Sequence, residues 1–445
     1  MNSADTKRPC NLLVITTSGG GGHLQAANAK ILEEQSKTPP TPIIVHNLLQ
    51  QAGGKWLGWF MIHYVWNTAQ RKGSVKGLEL WINMVPLFDV LFWVPVFLQI
   101  LHKLFKYKIE RVIDTQPLCL SAIIQAIRLY SFITKKNLVL EKILTELPTK
   151  HAAYYLKPIK RLPKKNRSLI KLQSIPPLLT EHETPEEFWK KNAGLSNENI
   201  FYGDLPIRPS FKYYHEKPPT NDPLVLHIQL KTDSEKTILH KIINYNNSPK
   251  HPLTATFDNL NFNLTLLPED VVTTLMLGSQ TIQEATLNYV EQFITLMKQV
   301  ANTSVNYYLF VFCSQTTSPS LQEMIYTLIT QTKDYPAHLK IIPMSSQQDG
   351  VIAPLYFKSH TTITKSGGIT AMELLTVARG KILIHHDNNG SSLEKFLSYS
   401  PLSKNHSYTG MPKWEYGNAT YLEKHKGAKL ITPATLLNTV RPYLV

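Results

Sequence analysis

Residues 14–29 read VITTSGGGGHLQAANA: a β-branched run, four consecutive glycines, a histidine and then a helix-forming segment. Glycines between a strand and a helix let backbone N–H groups approach an anion closely, and the helix N-terminus adds its positive end. The order therefore predicts a Rossmann-like first unit with an anion site at its glycine turn. Two familiar versions of that site fail here. A nucleotide-hydrolysing P-loop needs Lys and Ser/Thr after the last glycine, where His23 and Leu24 stand. A dinucleotide fold wants a separate third glycine and an acid closing the second strand, whereas Gly19 to Gly22 are contiguous and the second strand ends in His46-Asn47.

The same grammar returns at residues 364–375, TKSGGITAMELL. The amides at the start of that helix suit a diphosphate, and Glu373 suits ribose hydroxyls. Around the first glycine run, strand-like and helical stretches alternate: NLLVITT (11–17), a helix from Leu24 to about Gln35, PIIVHNL (42–48), helices through 55–107, RVIDT (111–115), a helix from Leu118, and LVLEKILTEL (138–147). Around the second they alternate again, through DVVTTLMLG (270–278), NYYLFVFCS (306–314), LKIIPM (339–344), TTITKSGG (361–368) and KILIHH (381–386). Alternation of this kind predicts doubly wound parallel sheets, and 445 residues exceed what one core usually organises. The expectation is an α/β chain of two Rossmann-like domains facing across a cleft, residues 1–205 and 206–445. The basic, proline-containing region 155–195 is expected to be a surface excursion, and 212–267 an insertion that adds strands to the second domain.

Lys and Arg total 47 against 32 Asp and Glu, a net charge of +15, which favours an anionic partner. Nucleic acid is set aside, because no basic groove interleaved with aromatics and no binding motif is present. Cys10, Cys119 and Cys313 are isolated from one another and from histidines, so neither a disulfide framework nor a zinc site is expected. The N-terminal apolar run lacks a signal-peptide cleavage pattern and reads as a first strand. MVPLFDVLFWVPVFLQILHKLFKYK (84–108) is the most apolar stretch; Pro86, Asp89, Pro95 and Gln99 interrupt it, leaving it short of the roughly 20 apolar residues that cross a bilayer. Two readings stand for it. Its aromatic and leucine residues followed by Lys103, Lys106 and Lys108 suit a helix lying on a membrane, and the same residues suit a buried helix of the first domain.

Six segments in order resemble one family: the glycosyltransferases related to monogalactosyldiacylglycerol synthase and the processive diacylglycerol glucosyltransferases (glycosyltransferase family 28-like), and more distantly the peptidoglycan N-acetylglucosaminyltransferase. SGGGGHLQAANA is similar to its glycine-histidine loop, VIDTQPL to its third strand end, and TELPTKHAAYY to its Thr-Asp element with a following histidine. YGDLPIRPSF resembles the crossover motif, TKSGGITAMELL the donor loop, and WEYGNATYLEKHKGA the late Glu-Asn motif. Glu146 stands where the family has Asp, and Gly278-Ser279 replace a fuller glycine loop.

The resemblance implies a GT-B fold, no cofactor and no metal, with the second domain binding a UDP-sugar and the first a lipid acceptor such as diacylglycerol. It implies inversion by direct attack of the acceptor hydroxyl, with His23 and Glu146 as candidate bases. Gly278, Ser279, Lys365, Ser366, Gly367, Gly368, Thr370, Glu373, Glu415 and Asn418 are the implied donor-binding residues. Gly20, Gly21, Gly22, His151 and Arg208 are the implied acceptor or phosphate contacts. The expected location is peripheral, on the cytoplasmic side of an anionic membrane. Two alternatives stay open: a nucleotide-sugar epimerase on the same fold, and a non-catalytic scaffold that binds lipid or a partner.

Overall fold

The computed structural model describes residues 11–17, 21–52, 66–218, 221–278, 281–300, 304–313, 319–386 and 410–444. Cys10, Gly19, Gly20, Ser279, the 55–65 part of the expected helices and the end of strand 306–314 lie outside them.

Two parallel sheets organise the chain, each of six strands. The first runs in the order β2-β1-β3-β4-β5-β6, from β1 (Leu12–Thr16), β2 (Ile43–Asn47), β3 (Arg111–Asp114), β4 (Leu140–Ile143), β5 (Ile170–Ser174) and β6 (Ile200–Tyr202). An antiparallel sheet follows, in the order β7-β9-β8, from β7 (Leu224–Gln229), β8 (Ala255–Asp258) and β9 (Asn261–Leu266). The second parallel sheet runs β12-β11-β10-β13-β14-β15, from β10 (Val271–Met276), β11 (Tyr307–Phe312), β12 (Leu339–Met344), β13 (Thr361–Thr364), β14 (Lys381–His385) and β15 (Lys429–Ile431). Every residue of β1 and β11 is buried, as expected of strands covered by helices on both faces. Pro343 is tolerated in β12 because that strand lies at the sheet edge.

Strand order reverses beside β1 in the first sheet and between β10 and β13 in the second, and ligands of open α/β sheets bind at such points, beyond the strands' carboxyl ends. The carboxyl ends of both sheets open onto one cleft: Thr17, Leu118 and Thr145 line it from the first, Gly278, Cys313 and Lys365 from the second. The architecture is α/β with two doubly wound sheets across a cleft, the GT-B arrangement.

One expectation is corrected. Region 155–195 is not a surface excursion: Tyr155, Ile159, Leu162, Phe188 and Trp189 are core residues of the first sheet's domain, and β5 is one of its strands. The basic residues that suggested a surface alternate with these apolar ones. Its expected capping pattern is present, with Thr184 and Glu187 forming a capping box. Residues 224–267 form the separate antiparallel sheet, whose Leu226, Phe262 and Leu264 share a core with Tyr308 and Phe310 of the second parallel sheet.

The stretch 84–108 is two helices, α2 (Val75–Leu91) and α3 (Trp93–Lys106), bent by 65°. Pro95 has no N–H to bond the carbonyl one turn back, so the helical ladder stops at the junction. The buried-helix reading holds for one face of the pair. Val85, Phe88, Val96, Ile100 and Leu104 are buried, while Leu87, Val90 (74 % exposed), Leu91 (61 %), Val94 and Leu98 form an apolar ridge open to solvent. No single described helix is long and apolar enough to cross a membrane. Asp89 is accounted for by packing, since its Oδ1 accepts from the Cys119 N–H at 2.6 Å.

Candidate functional site

The cleft encloses about 470 Å³. Two helices begin at its walls: α1 (Gly22–Gln35), entered through Gly21, and α4 (Gly368–Val377), entered through Gly367. Neither has a side-chain cap or an acid in its first turn. Their first N–H groups lack intrahelical partners and carry the positive ends of the helix dipoles. Gly21 takes φ 73°, a left-handed turn that glycine makes without strain. The two helix starts meet closely, since a Cβ on Gly22 would lie 3.5 Å from Ile369 Cγ1.

Gly278, also left-handed at φ 85°, and Lys365 mark the ends of β10 and β13, with the lysine's Cδ packed 4.0 Å from where a Cβ on Gly278 would be. Lys365 and Thr370 line the cleft together with Arg208. Arg208 Nε and Nη2 bond both carboxylate oxygens of Glu373 at 2.7 and 3.0 Å, and Nη1 reaches Asp349 at 3.2 Å. Glu373, expected to meet ribose hydroxyls, thus has both oxygens engaged by the crossover arginine. Burial pushes its carboxyl upward and Arg208 pulls it back.

Behind the cleft wall Asn418 ties the two halves together. It accepts from the Leu147 N–H at 2.9 Å and donates to Glu146 Oε2 at 2.6 Å and to the Ser366 carbonyl at 2.8 Å. The Ser366 hydroxyl donates to the Glu415 carbonyl at 2.7 Å. Glu146 and Glu415 line the cleft, whereas Ser366 and Asn418 are buried behind it. Asn418 lies on α5 (Lys413–Lys426), which packs against the 3-10 turn Lys150–Tyr154 of the first half. His151, on that turn, lies edge-on to Tyr416 at 5.0 Å between ring centroids and does not line the cleft.

His23 Nδ1 lies 3.0 Å from Thr145 Oγ1. Burial first and the Lys142 charge second hold its pKa down to about 4. Burial, with Glu415 adding, raises Glu146 to about 8, although the Asn418 bond opposes it. At neutral pH the imidazole is therefore unprotonated, while burial favours the protonated form of the Glu146 carboxyl. The raised value also fixes a stability trend. Folding favours the protonated form, so the stability from this group is complete below the unfolded value of 4.5 and is lost as pH rises toward 8. Between pH 5 and 8.5 the Glu146→Gln variant is expected to gain in melting temperature relative to the parent as pH rises, when the two are compared by calorimetry.

One wall on the first sheet's side is apolar: Trp66, Leu78, Trp81, Ile82 and Val85 line it, with Trp414 arriving from α5. Sequence reasoning missed this wall because its residues read simply as helix core. It also missed Lys231, which lines the cleft from the insertion and bonds Ser346 at 2.6 Å. No group of three or more His, Cys, Asp or Glu among the described residues is placed to hold a metal ion. Cys119 and Cys313 are buried free thiols.

The sequence matches no family model and no curated protein. Among solved structures, the chain is similar to the MurG of Acinetobacter baumannii, with a TM-score of 0.44 and 12 % identity over 98 % of this chain and 89 % of that one. It is similar to a UDP-glucosyltransferase from Polygonum tinctorium, TM-score 0.43 and 9 % identity, covering 98 % and 90 %. It is also similar to a UDP-GlcNAc 2-epimerase from Neisseria meningitidis solved with UDP-GlcNAc, TM-score 0.41 and 13 % identity, covering 94 % and 92 %.

Proposed function

We propose that this protein is an inverting glycosyltransferase that moves a hexose from a UDP-sugar to a lipid acceptor such as diacylglycerol, working peripherally on the cytoplasmic side of a membrane. The observation that carries the reading is one cleft with two chemically opposite ends. Two uncapped helix N-termini with Lys365 make a pole for a diphosphate, and a wall of tryptophan and aliphatic side chains makes a place for a hydrocarbon chain. Fixed donors of this kind stabilise a departing nucleoside diphosphate without reorganising during the reaction. His23, unprotonated and lining the cleft at the start of α1, takes the acceptor hydroxyl proton as that oxygen attacks the anomeric carbon and the nucleoside diphosphate leaves.

The apolar wall and the exposed ridge share helix α2: Leu78, Ile82 and Val85 line the cleft, and Leu87, Val90 and Leu91 face solvent. A lipid headgroup is thereby offered to the site while the tails stay near the bilayer. The ridge supplies apolar contact, and lysines near its end add attraction to anionic lipid.

The test is transfer of radiolabelled sugar from UDP-glucose, UDP-galactose and UDP-N-acetylglucosamine to diacylglycerol in anionic vesicles. Lipid-linked product is expected from one donor, and His23→Ala is expected to lower the rate by about 10²-fold with donor affinity retained. Sugar released without an acceptor would replace the reading with an epimerase, and donor binding without turnover with a scaffold. Val90→Asp with Leu98→Asp is expected to cut vesicle binding by about tenfold in a flotation assay, because two exposed apolar side chains no longer leave water.

A further inference from the structure

Two polar atoms in the cleft's apolar wall are buried without a partner. The indole Nε1 of Trp66 and the amide Oε1 of Gln70 are shut off from solvent and bond nothing among the described residues, and both side chains line the cleft. A buried tryptophan N–H normally finds an acceptor, and two others in this chain do. Trp189 donates to the Tyr202 hydroxyl at 2.8 Å, and Trp93 to Ser121 Oγ at 3.4 Å. Trp66 is the N-cap of the short helix Asn67–Arg71 and has helical φ and ψ, so Gln70, four residues on, shares its face. That helix is fixed in place. The Ser74 N–H donates to the Ala69 carbonyl at 2.8 Å and the Gly73 N–H to the Gln70 carbonyl at 3.1 Å, and a Cβ on Gly77 of α2 would lie 3.4 Å from Ala69 Cβ. The Trp66 ring packs on Trp81, 6.3 Å between centroids.

A buried donor without an acceptor costs more than an ordinary hydrogen bond gains. The neighbouring wall residues Leu78, Ile82 and Val85 have no side-chain polar atom to supply one, so the partner arrives with the ligand. An indole N–H donates only, whereas an amide side chain both donates and accepts. The ligand group that answers them therefore has an acceptor oxygen set among hydrocarbon. The carbonyl of an ester or amide, where an acyl chain joins its headgroup, is such an oxygen. An isoprenoid chain has none, and an ether oxygen accepts weakly.

We propose that Trp66, with Gln70 beside it, determines acceptor specificity by reading the carbonyl linkage of the lipid, and so selects acyl-linked lipids over ether-linked ones. The inference rests on the apolar wall receiving the acceptor of the proposed transfer. The indole N–H donates to the carbonyl oxygen, and the Gln70 amide holds the neighbouring polar atom of the same linkage. An ether-linked lipid of equal length fills the wall equally well but leaves the Trp66 N–H unmatched, and a site built around a hydrogen bond rejects the ligand that lacks it.

The experiment compares dioctanoylglycerol with its diether counterpart dioctylglycerol, which differs in the two carbonyls alone, on the full chain. Affinity is read by calorimetry and kcat/KM by sugar transfer, for the parent, Trp66→Phe and Gln70→Leu, with melting temperatures to confirm that each variant is folded. The parent is expected to prefer the diester by about tenfold or more in affinity. Trp66→Phe keeps a ring in the wall and is expected to bring the two lipids within about threefold, through loss of the diester with the diether unchanged. Gln70→Leu is expected to narrow the ratio in the same direction. A parent that binds neither lipid or does not distinguish them overturns the proposal. So does a folded Trp66→Phe that keeps the parent's preference, or that loses both lipids alike, as a residue acting through packing would. A diester preference that Trp66→Phe abolishes, without any lipid product from the parent, would remove the transferase reading and leave this one standing. Transfer with an unchanged ratio in Trp66→Phe would do the reverse.

Discussion

Replacing Arg208 with methionine is expected to destabilise the chain by about 3–5 kcal/mol, because it leaves the carboxylate of Glu373 buried without its partner. Glu373 is 1 % exposed and both its oxygens are bonded by Arg208. Asp349, the third member of the cluster, is 31 % exposed and keeps access to water. The destabilised carboxyl responds by holding its proton to higher pH. Its folded value is already raised above 4.5 by burial and rises further without Arg208, so the loss is smaller at pH 5 and grows as pH climbs through the folded value. Denaturant midpoints at pH 5 and pH 8 measure this. Adding Glu373→Met to Arg208→Met should recover most of the loss, because removing both charges also removes the desolvation cost. Equal loss at both pH values, or no recovery in the double variant, would show that the arginine acts through packing on Phe211, 4.8 Å from its guanidinium.

Gly368→Ala is expected to cost on the order of 3 kcal/mol and to open the cleft. A Cβ at this position would overlap the Thr145 carbonyl oxygen and lie 2.7 Å from Glu146 Oε2. The first obstacle is backbone, so no rotamer change relieves it. The two halves must separate at the point where Asn418 joins them, and the start of α4 moves away from the start of α1. Donor affinity measured by calorimetry should fall by at least about tenfold, since the two helix N-termini no longer converge on one anion. Unchanged affinity together with unchanged stability would mean that the close approach of the halves is not required for donor binding.

Much of the molecule was legible in the chain. Strand–glycine–helix order located both helix N-termini, and alternating patterns located both sheets, because a fully buried parallel strand must read as a short apolar run. His23, Glu146, Gly278, Lys365, Thr370, Glu373 and Glu415 do converge on the cleft. Local pattern could not separate surface from core where basic residues surround Ile159 and Leu162, since a short helix shows charge outside and apolar residues inside with the same composition.

The sequence by itself determined the two α/β blocks, the glycine turn before α1 and many of the residues that line the cleft, all consequences of local backbone geometry and side-chain periodicity. The tertiary structure decided that Arg208 occupies Glu373, that Asn418 joins the halves through Glu146, and that Lys142 lies buried with Asp114. Those partners are brought together by sheet order and domain contact, and the protonation of a buried group depends on which charges the fold has placed beside it.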